Sequence, residues 1–466
     1  MRKAVSGIIL FFSLLPGFLF CAEKEVDLGF LLQKGELIYP DLKKKFYELQ
    51  HARAREDEVF ARRLPDLDVN IFFNYIPWVY TEKVNGASSE SLRIDASDWS
   101  PFIAPTASLT IPIYTFGKLK HGAEAAKYNV EVKKAELEES KADVRYKVKQ
   151  LFWGFLLVDS LRKYVLDDTL SRYDKILKER EEDFIQGKVT RASLEDSRIT
   201  YYDLKRNEAS AEQGYEQALT WLRRIAGVSK DDKLVLKTKR LQPLEPELKP
   251  FDYYLAMAKK YNPGIKKAQY GYLARKAWYD YQQSDLLPDI FFHARGSFVY
   301  YSFEDREVDP EIREDTILPD QEWTVYCAFG IRWNLNFWRK SSKSDQNRYS
   351  FMGDLEQIKM GYEFQESQLK EKYEELIKQK KNLEYSEKQL NAAKRWFLLS
   401  LNAYESGTGD INEAERGLVV LFRRKKDYYE AAFNFNMAIA RFEKELGMDI
   451  ISYEKGIGGG AEYAEF

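Results

Sequence analysis

Ser108–Asn129 reads SLTIPIYTFGKLKHGAEAAKYN. As far as Tyr114 apolar and polar residues alternate, which is the period of a β-strand with one wet face. From Lys118 onward the apolar spacing is that of a helix. The two periods meet at Gly117 with no loop between them. A strand that flows straight into a helix keeps the backbone direction through the change of period.

The same order recurs about 220 residues later. LPDL at Leu64–Leu67 matches LPDI at Leu287–Ile290, and TIPIYTFGK ending at Lys118 matches RWNLNFWRK ending at Lys340. FIQGK around Gly187 matches YESGT around Gly407, and LRRIAGV ending at Val228 matches FEKELGM ending at Met448. The offset stays between 220 and 223 throughout. This predicts two structural repeats, 23–240 and 251–448, joined by the proline-rich linker LQPLEPELKP at 241–250 and followed by a tail at 449–466. In each repeat a helix (about Asp41–Arg63 and Gly264–Leu286) stops before Pro65 or Pro288, because proline disfavours helical backbone in the residue before it. Strands follow at about 66–80 and 104–116, then at 289–302 and 322–337. Helical hairpins come next, at 118–227 and 340–446, turning at Gly187 and Gly407. Their first arms, Lys118–Ile185 and Lys340–Glu405, would each be about 100 Å long at 1.5 Å per residue. Gly117 and Arg339 mark the expected strand-to-helix junctions.

The strands carry the compartment signal. Leu67, Val69, Ile71, Phe73 and Tyr75 share one face, against Asp66, Asp68, Asn70 and Asn74 on the other. Trp323, Val325, Cys327, Phe329, Ile331 and Trp333 oppose Thr324, Tyr326, Ala328, Gly330 and Arg332. Alternation over about 10 residues with aromatics near the ends is the pattern of an outer-membrane barrel. A soluble sandwich with one wet face alternates in the same way. Against it stand the aromatic content of the apolar faces and helices too long to stay beside the sheet. Four strands cannot close a barrel in lipid, so several chains must share one. The segments Thr81–Pro101 and Glu304–Glu322 are expected as external loops. In the first long helix Val130, Leu137, Val144, Leu151 and Val158 recur at sevens, with Phe155 between, a coiled-coil-like seam.

The N-terminus reads as an export signal over residues 1–22. Arg2 and Lys3 precede the apolar run Ile8–Phe20, which is short of the roughly 20 residues a spanning helix needs. Phe20 before Cys21 argues against a lipobox. The chain has 466 residues, 72 basic against 74 acidic, three His and two Cys. That balance gives no hint of nucleic acid and little material for a zinc cluster or a disulfide framework. His51, His121 and His293 lie far apart with no second ligand at metal spacing, and GIGGG near the C-terminus lacks the strand and lysine of a phosphate loop. The chain is read as no enzyme, with no cofactor.

LPDL and LPDI, the junction IPIYTFGK, the glycine turns FIQGK and YESGTGDINEAERGL, and the endings IAGV and ELGM together resemble the TolC family of outer-membrane efflux proteins. The resemblance covers nearly the whole exported chain. It implies a mainly α fold with membrane β: a homotrimer whose four strands per chain form a shared twelve-stranded barrel, continued by a periplasmic α-helical tunnel. Such proteins are outer-membrane exit ducts in tripartite efflux or type I secretion, joined by a periplasmic adaptor to an inner-membrane RND or ABC-type pump. The family narrows the inner tip with carboxylates after the second glycine turn. Glu413 matches one such position, and Arg416 stands where another acid is often found; Asp410 and Glu415 add charge nearby. Two readings stand for Glu413, a charged ring and an exposed turn residue. Asp410 reads better as a helix cap, and Arg416 as a partner for a neighbouring carboxylate. Gly187, Lys188, Arg191 and Gly407 mark the two tips, expected to dock the adaptor. The rival reading is an exported coiled-coil or adhesin-like surface protein, which needs no aromatic-faced strands.

Overall fold

The computed structural model describes residues 24–83, 90–229, 234–301, 314–316 and 321–451. The expected export signal with Cys21, most of the segment Glu304–Glu322 and most of the tail lie outside them. In chain order the elements are β1 (Lys24–Val26), α1 (Leu28–Ile38), α2 (Pro40–Ala61), β2 (Asp66–Lys83), β3 (Glu90–Tyr114), α3 (Lys118–Ser160), a π-helical turn (Leu161–Leu166), α4 (Asp167–Ile185) and α5 (Arg191–Ala226). There follow β4 (Leu234–Leu236), α6 (Phe251–Tyr261), α7 (Pro263–Ser284), β5 (Asp289–Tyr301), β6 (Glu314–Thr316), β7 (Gln321–Arg332), α8 (Phe337–Glu405) and α9 (Ile411–Leu446). The chain forms two compact units, one made of 44–138 and 263–365 and the other of the remaining residues.

The first unit holds an antiparallel sheet in the order β6-β2-β3-β5-β7. Its register sorts side chains by polarity. Leu67, Leu109, Ala294 and Cys327 stand opposite one another across four strands, as do Val69, Ala107, Gly296 and Val325. The rows between them are Asp68, Ser108, Arg295, Tyr326 and Asn70, Thr106, Ser297, Thr324. Because side chains alternate with period two, the sheet has one apolar and one polar face. Phe73, Val325 and Phe329 of the apolar face are 74%, 79% and 78% exposed, and the free Cys327 is exposed there too. Among the described residues β7 pairs on one side only, and β2 gains β6 only at Tyr80 and Thr81.

Strand limits differ from the sequence reading. The expected external loop Thr81–Pro101 is largely strand: β2 and β3 stay paired from Trp78↔Asp95 to Lys83↔Glu90, past a register shift at Pro77. Ladder bonds use backbone groups, so a hairpin runs on through residues whose side chains carry no apolar pattern. The fourth strand stops at Arg332, and α8 begins at Phe337. Arg339 therefore lies in the first turn of α8 rather than at the junction. Four irregular residues intervene, where the Asn334 side chain accepts from the Asn336 N–H at 3.1 Å.

The second unit is helical apart from the parallel pair β1–β4. Its centre is α9, where Ala431, Ala432, Phe435, Ala438, Ile439 and Phe442 are buried. The linker is tied down despite having no regular structure. Fully buried Asn436 accepts from Leu244 N and donates to the Gln242 carbonyl, both at 2.9 Å, and Ser160 Oγ accepts from Leu241 N at 2.9 Å. The heptad seam holds at Val130, Leu137 and Val144, then the buried stripe shifts to Val148, Phe152 and Leu156. A helix with 3.6 residues per turn drifts off a seven-residue repeat unless it supercoils. The expected arm Lys118–Ile185 is interrupted by the π-helical turn, whereas α8 runs 69 residues unbroken. The repeat offset falls from 222 at Lys118 to 220 at Gly187, so the first arm is the longer, and a π turn absorbs added residues without breaking a helix.

Candidate functional site

The two hairpin turns share one construction. At the end of α4, Gly187 N–H donates to Phe184 O at 3.0 Å and Lys188 N–H to Asp183 O at 2.8 Å; at the end of α8, Gly407 donates to Tyr404 O at 2.9 Å and Thr408 to Ala403 O at 3.0 Å. This is the Schellman pair of bonds, closed by a residue in the left-handed region. Gly187 has φ +72° and Gly407 +75°, where a Cβ is strained. Three residues after each glycine comes the N-cap of the next helix: Thr190 accepts from Ser193 N at 3.2 Å, and Asp410 from Asn412 N at 3.0 Å. Hydrogen bonds from the Asn412 side chain and backbone hold the Asp410 carboxyl below its ordinary range.

Behind these turns, α4, α5 and α9 enclose a polar network. Arg180, 1% exposed, donates to Glu415 at 2.6 Å, to Ser193 Oγ at 2.6 Å and to Asn412 Oδ1 at 2.5 Å. Glu415 also accepts from Ser197 Oγ at 3.0 Å and from the Tyr173 hydroxyl. Burial, with the Glu415 carboxylate beside it, pushes the Tyr173 phenol well above its ordinary range, so it stays a donor. Apolar packing by Leu170, Ile176, Leu204, Phe397, Ile411 and Leu418 surrounds the network. A buried ion pair held by this many hydrogen bonds fixes geometry more than it adds stability.

The structure thus separates the four charged residues expected at the second tip. Glu413 and Arg416 are exposed, Asp410 is a cap, and Glu415 is buried against Arg180 and withheld from any exposed ring. Arg416 Nε donates to the Asn412 carbonyl at 3.3 Å. On the first tip Lys188 and Arg191 are exposed, Lys188 lying 3.3 Å from Asp183. The sequence reading missed Arg180, Tyr173 and Ser197. Their signal lay in the helical stripes: Arg180 continues Tyr173 and Ile176 at spacings of three and four, and Glu415 falls between Ile411 and Leu418. A charge inside an apolar stripe asks for a buried partner.

At the other end of the hairpins, Phe116 and Gly117 both have positive φ, +47° and +87°, which turns β3 into α3 in one tight step. The motif lysines of both junctions reach the residues around Pro288. Lys118 Nζ lies 2.7 Å from Asp285 and 3.1 Å from Asp289, and Lys340 Nζ donates to Leu286 O at 2.7 Å. Arg63, two residues before Pro65, donates to Leu119 O at 3.3 Å. The proline breaks and the strand exits are therefore fastened together.

A sequence profile described as outer membrane efflux protein matches residues 32–228. The match covers less than half of the chain. The matched stretch includes the first glycine turn, Arg180 and Tyr173, whereas Glu415, the other half of the ion pair, lies beyond it. Among solved structures the chain is similar to the outer membrane protein VceC of Vibrio cholerae, at 12% identity and TM-score 0.70 over 91% of this chain and 97% of that one. It is similar also to the open-state MtrE outer membrane channel of Neisseria gonorrhoeae (15%, 0.68, 91% and 89%) and to CusC (14%, 0.69, 90% and 92%), described in terms of transmembrane channel formation. At these identities the likeness is one of fold: predominantly helical with a small sheet, as in TolC-like outer-membrane channels. No curated protein matches the chain by sequence.

Proposed function

We propose that three copies of this chain pair β2 of one with β7 of the next into one twelve-stranded barrel in the outer membrane, and that the helices leaving the strands prolong it as a periplasmic duct. The reading rests above all on the sheet register, which leaves an exposed aromatic face and a polar face on one set of strands and, among the described residues, the outer edge of β7 unpaired and that of β2 paired only at Tyr80 and Thr81. Each large apolar side chain left in water forgoes about 1.5–3 kcal/mol of burial, and unpaired strand edges invite further pairing. Lipid on the apolar face and a neighbouring copy at each edge answer both, while the polar face lines a water-filled lumen.

The duct conducts passively, in tripartite efflux or type I secretion, and an inner-membrane pump with its periplasmic adaptor supplies energy and choice of substrate. Lys188 and Arg191 on one tip and Glu413 on the other give the adaptor two turns of unlike charge. Glu413, repeated three times about the axis, would bias a narrowed tip toward cations. Outer-membrane fractions run unheated on SDS-PAGE, with purified protein in planar bilayers, test the reading. A heat-labile trimer that conducts is expected. A salt-extractable monomer that never conducts would instead favour an exported coiled-coil or adhesin-like protein.

A further inference from the structure

We propose that a cleft beneath the strand-to-helix junction, on the polar face of the sheet, binds small organic anions with a flat apolar body, such as aryl carboxylates. The cleft has a volume of about 440 Å³, within the range of small-molecule sites. Its apolar wall is formed by Pro65, Pro112, Leu119 and Phe291. Register places Pro112 opposite Phe291, and Phe291 opposite Gly330. A Cβ at Gly330 would come within 2.5 Å of Phe291 Cζ, so the outer end of the ring rests on β7 where only a hydrogen fits. Arg332, two residues along the same face, sets its guanidinium 5.1 Å from the centre of that ring.

The charges of the lining single out Arg332. Arg62 is paired with Glu58 at 2.7 Å, and Lys118 with Asp285 and Asp289. Among the described residues Arg332 has no carboxylate at ion-pair distance. A guanidinium presents a planar N–H fork that takes a carboxylate in two parallel bonds. Asp66 also lines the cleft. It stands on β2, three strands from β7, about 14 Å away at ordinary strand spacing, whereas Asp289 stands directly opposite Arg332 in the register but is engaged by Lys118 at 3.1 Å. A carboxylate on Arg332 with its ring against Phe291 and Pro112 satisfies the free cation and covers the apolar wall together. The duct reading enters only through access, since the polar face must open to the lumen.

The test is ligand-observed saturation-transfer NMR on the purified full chain, titrating benzoate against benzylammonium (same ring, opposite charge) and acetate (same charge, no ring). Benzoate is expected to bind, and Arg332→Gln to weaken it by about tenfold, as the loss of a charge-assisted pair implies. Arg332→Lys, which keeps the charge without the fork, falls between and serves if the glutamine variant misfolds. Gly330→Val leaves every charge in place yet displaces Phe291, and weakens binding as well. Equal responses to benzoate and benzylammonium, or benzoate binding unchanged in both Arg332 variants, would overturn the site. Bilayer conductance of the same preparation tests the duct separately. Protein that binds benzoate but never conducts sinks the duct and leaves the site standing; the converse result does the opposite.

Discussion

Arg180 on α4 and Glu415 on α9 lie 235 residues apart in sequence and 2.6 Å apart in space. Each is the other's neutralising charge in an otherwise apolar cluster. Removing one leaves the other buried and uncompensated, which costs about 3 kcal/mol or more. Arg180→Met and Glu415→Leu are each expected to lower the thermal midpoint of the assembled protein by several degrees. The double variant should be milder than the sum of the two. Additive losses in that cycle would show that the two side chains do not act as a pair.

The glycine turns make a second, local prediction. Gly187→Ala and Gly407→Ala force a Cβ into the left-handed region, at about 1 kcal/mol each, and Asp410→Ala removes a cap worth about 1 kcal/mol. Faster amide exchange confined to the tip residues is the expected readout. The cap also has a pH dependence. The folded pKa of Asp410 lies below its ordinary 3.8, so its contribution is complete above that value and is lost as pH falls through the folded pKa. Tip exchange in the native protein should therefore accelerate in acid, and in Asp410→Ala that acceleration should be reduced.

What was legible in the sequence divides by range of action. Glycine and proline act on their own backbone, so Gly187, Gly407, Pro65 and Pro288 could be read directly. Period-two alternation gave the two faces of the strands, because a strand's faces follow from its own residues alone. Strand limits were less accessible: Trp78–Lys83 is paired by the backbone of Glu90–Asp95, and backbone pairing leaves no mark in side-chain polarity. The junction at Arg339 was misplaced because the second repeat has no glycine there, and an asparagine turn does the same work. In the sequence Glu415 is one more charge at the second tip, because its partner stands on another helix, a relation that no local spacing records.

A third prediction concerns the segment after α9. Lys149, 2% exposed, lies 2.7 Å from both Glu443 and Asp449, and Arg145 also pairs with Asp449. Glu443 further accepts from Ile450 N and Ile451 N, at 2.8 and 3.2 Å. Burial raises the Glu443 carboxyl above its ordinary value; burial acts on Asp449 too, but Lys149 and Arg145 outweigh it and hold that carboxyl low. The signs differ. The Asp449 contribution is full above its ordinary 3.8 and is lost as pH falls through the folded pKa, while acidification relieves the buried charge of Glu443. Lys149→Met removes the cation that the two carboxylates share and should expose residues 449–451 to protease at neutral pH. Asp449→Asn should loosen the same segment less, since Glu443 keeps its lysine and both backbone donors.

The exposed charge at the second tip gives the last prediction. Glu413 sits in the first turn of α9, exposed, while Glu415 two residues on is held by Arg180, Ser197 and Tyr173. If three copies bring Glu413 around one axis, its charge acts on ions in transit and that of Glu415 does not. Glu413→Lys should then shift the reversal potential measured in a salt gradient from cation preference toward anion preference. Glu415→Gln, assayed in the same bilayers, should leave the reversal potential where it was while lowering the thermal midpoint. The opposite pattern, with selectivity following Glu415 and stability following Glu413, would mean that the network opens in the assembled duct and that its buried carboxylate is the one the permeating ions meet.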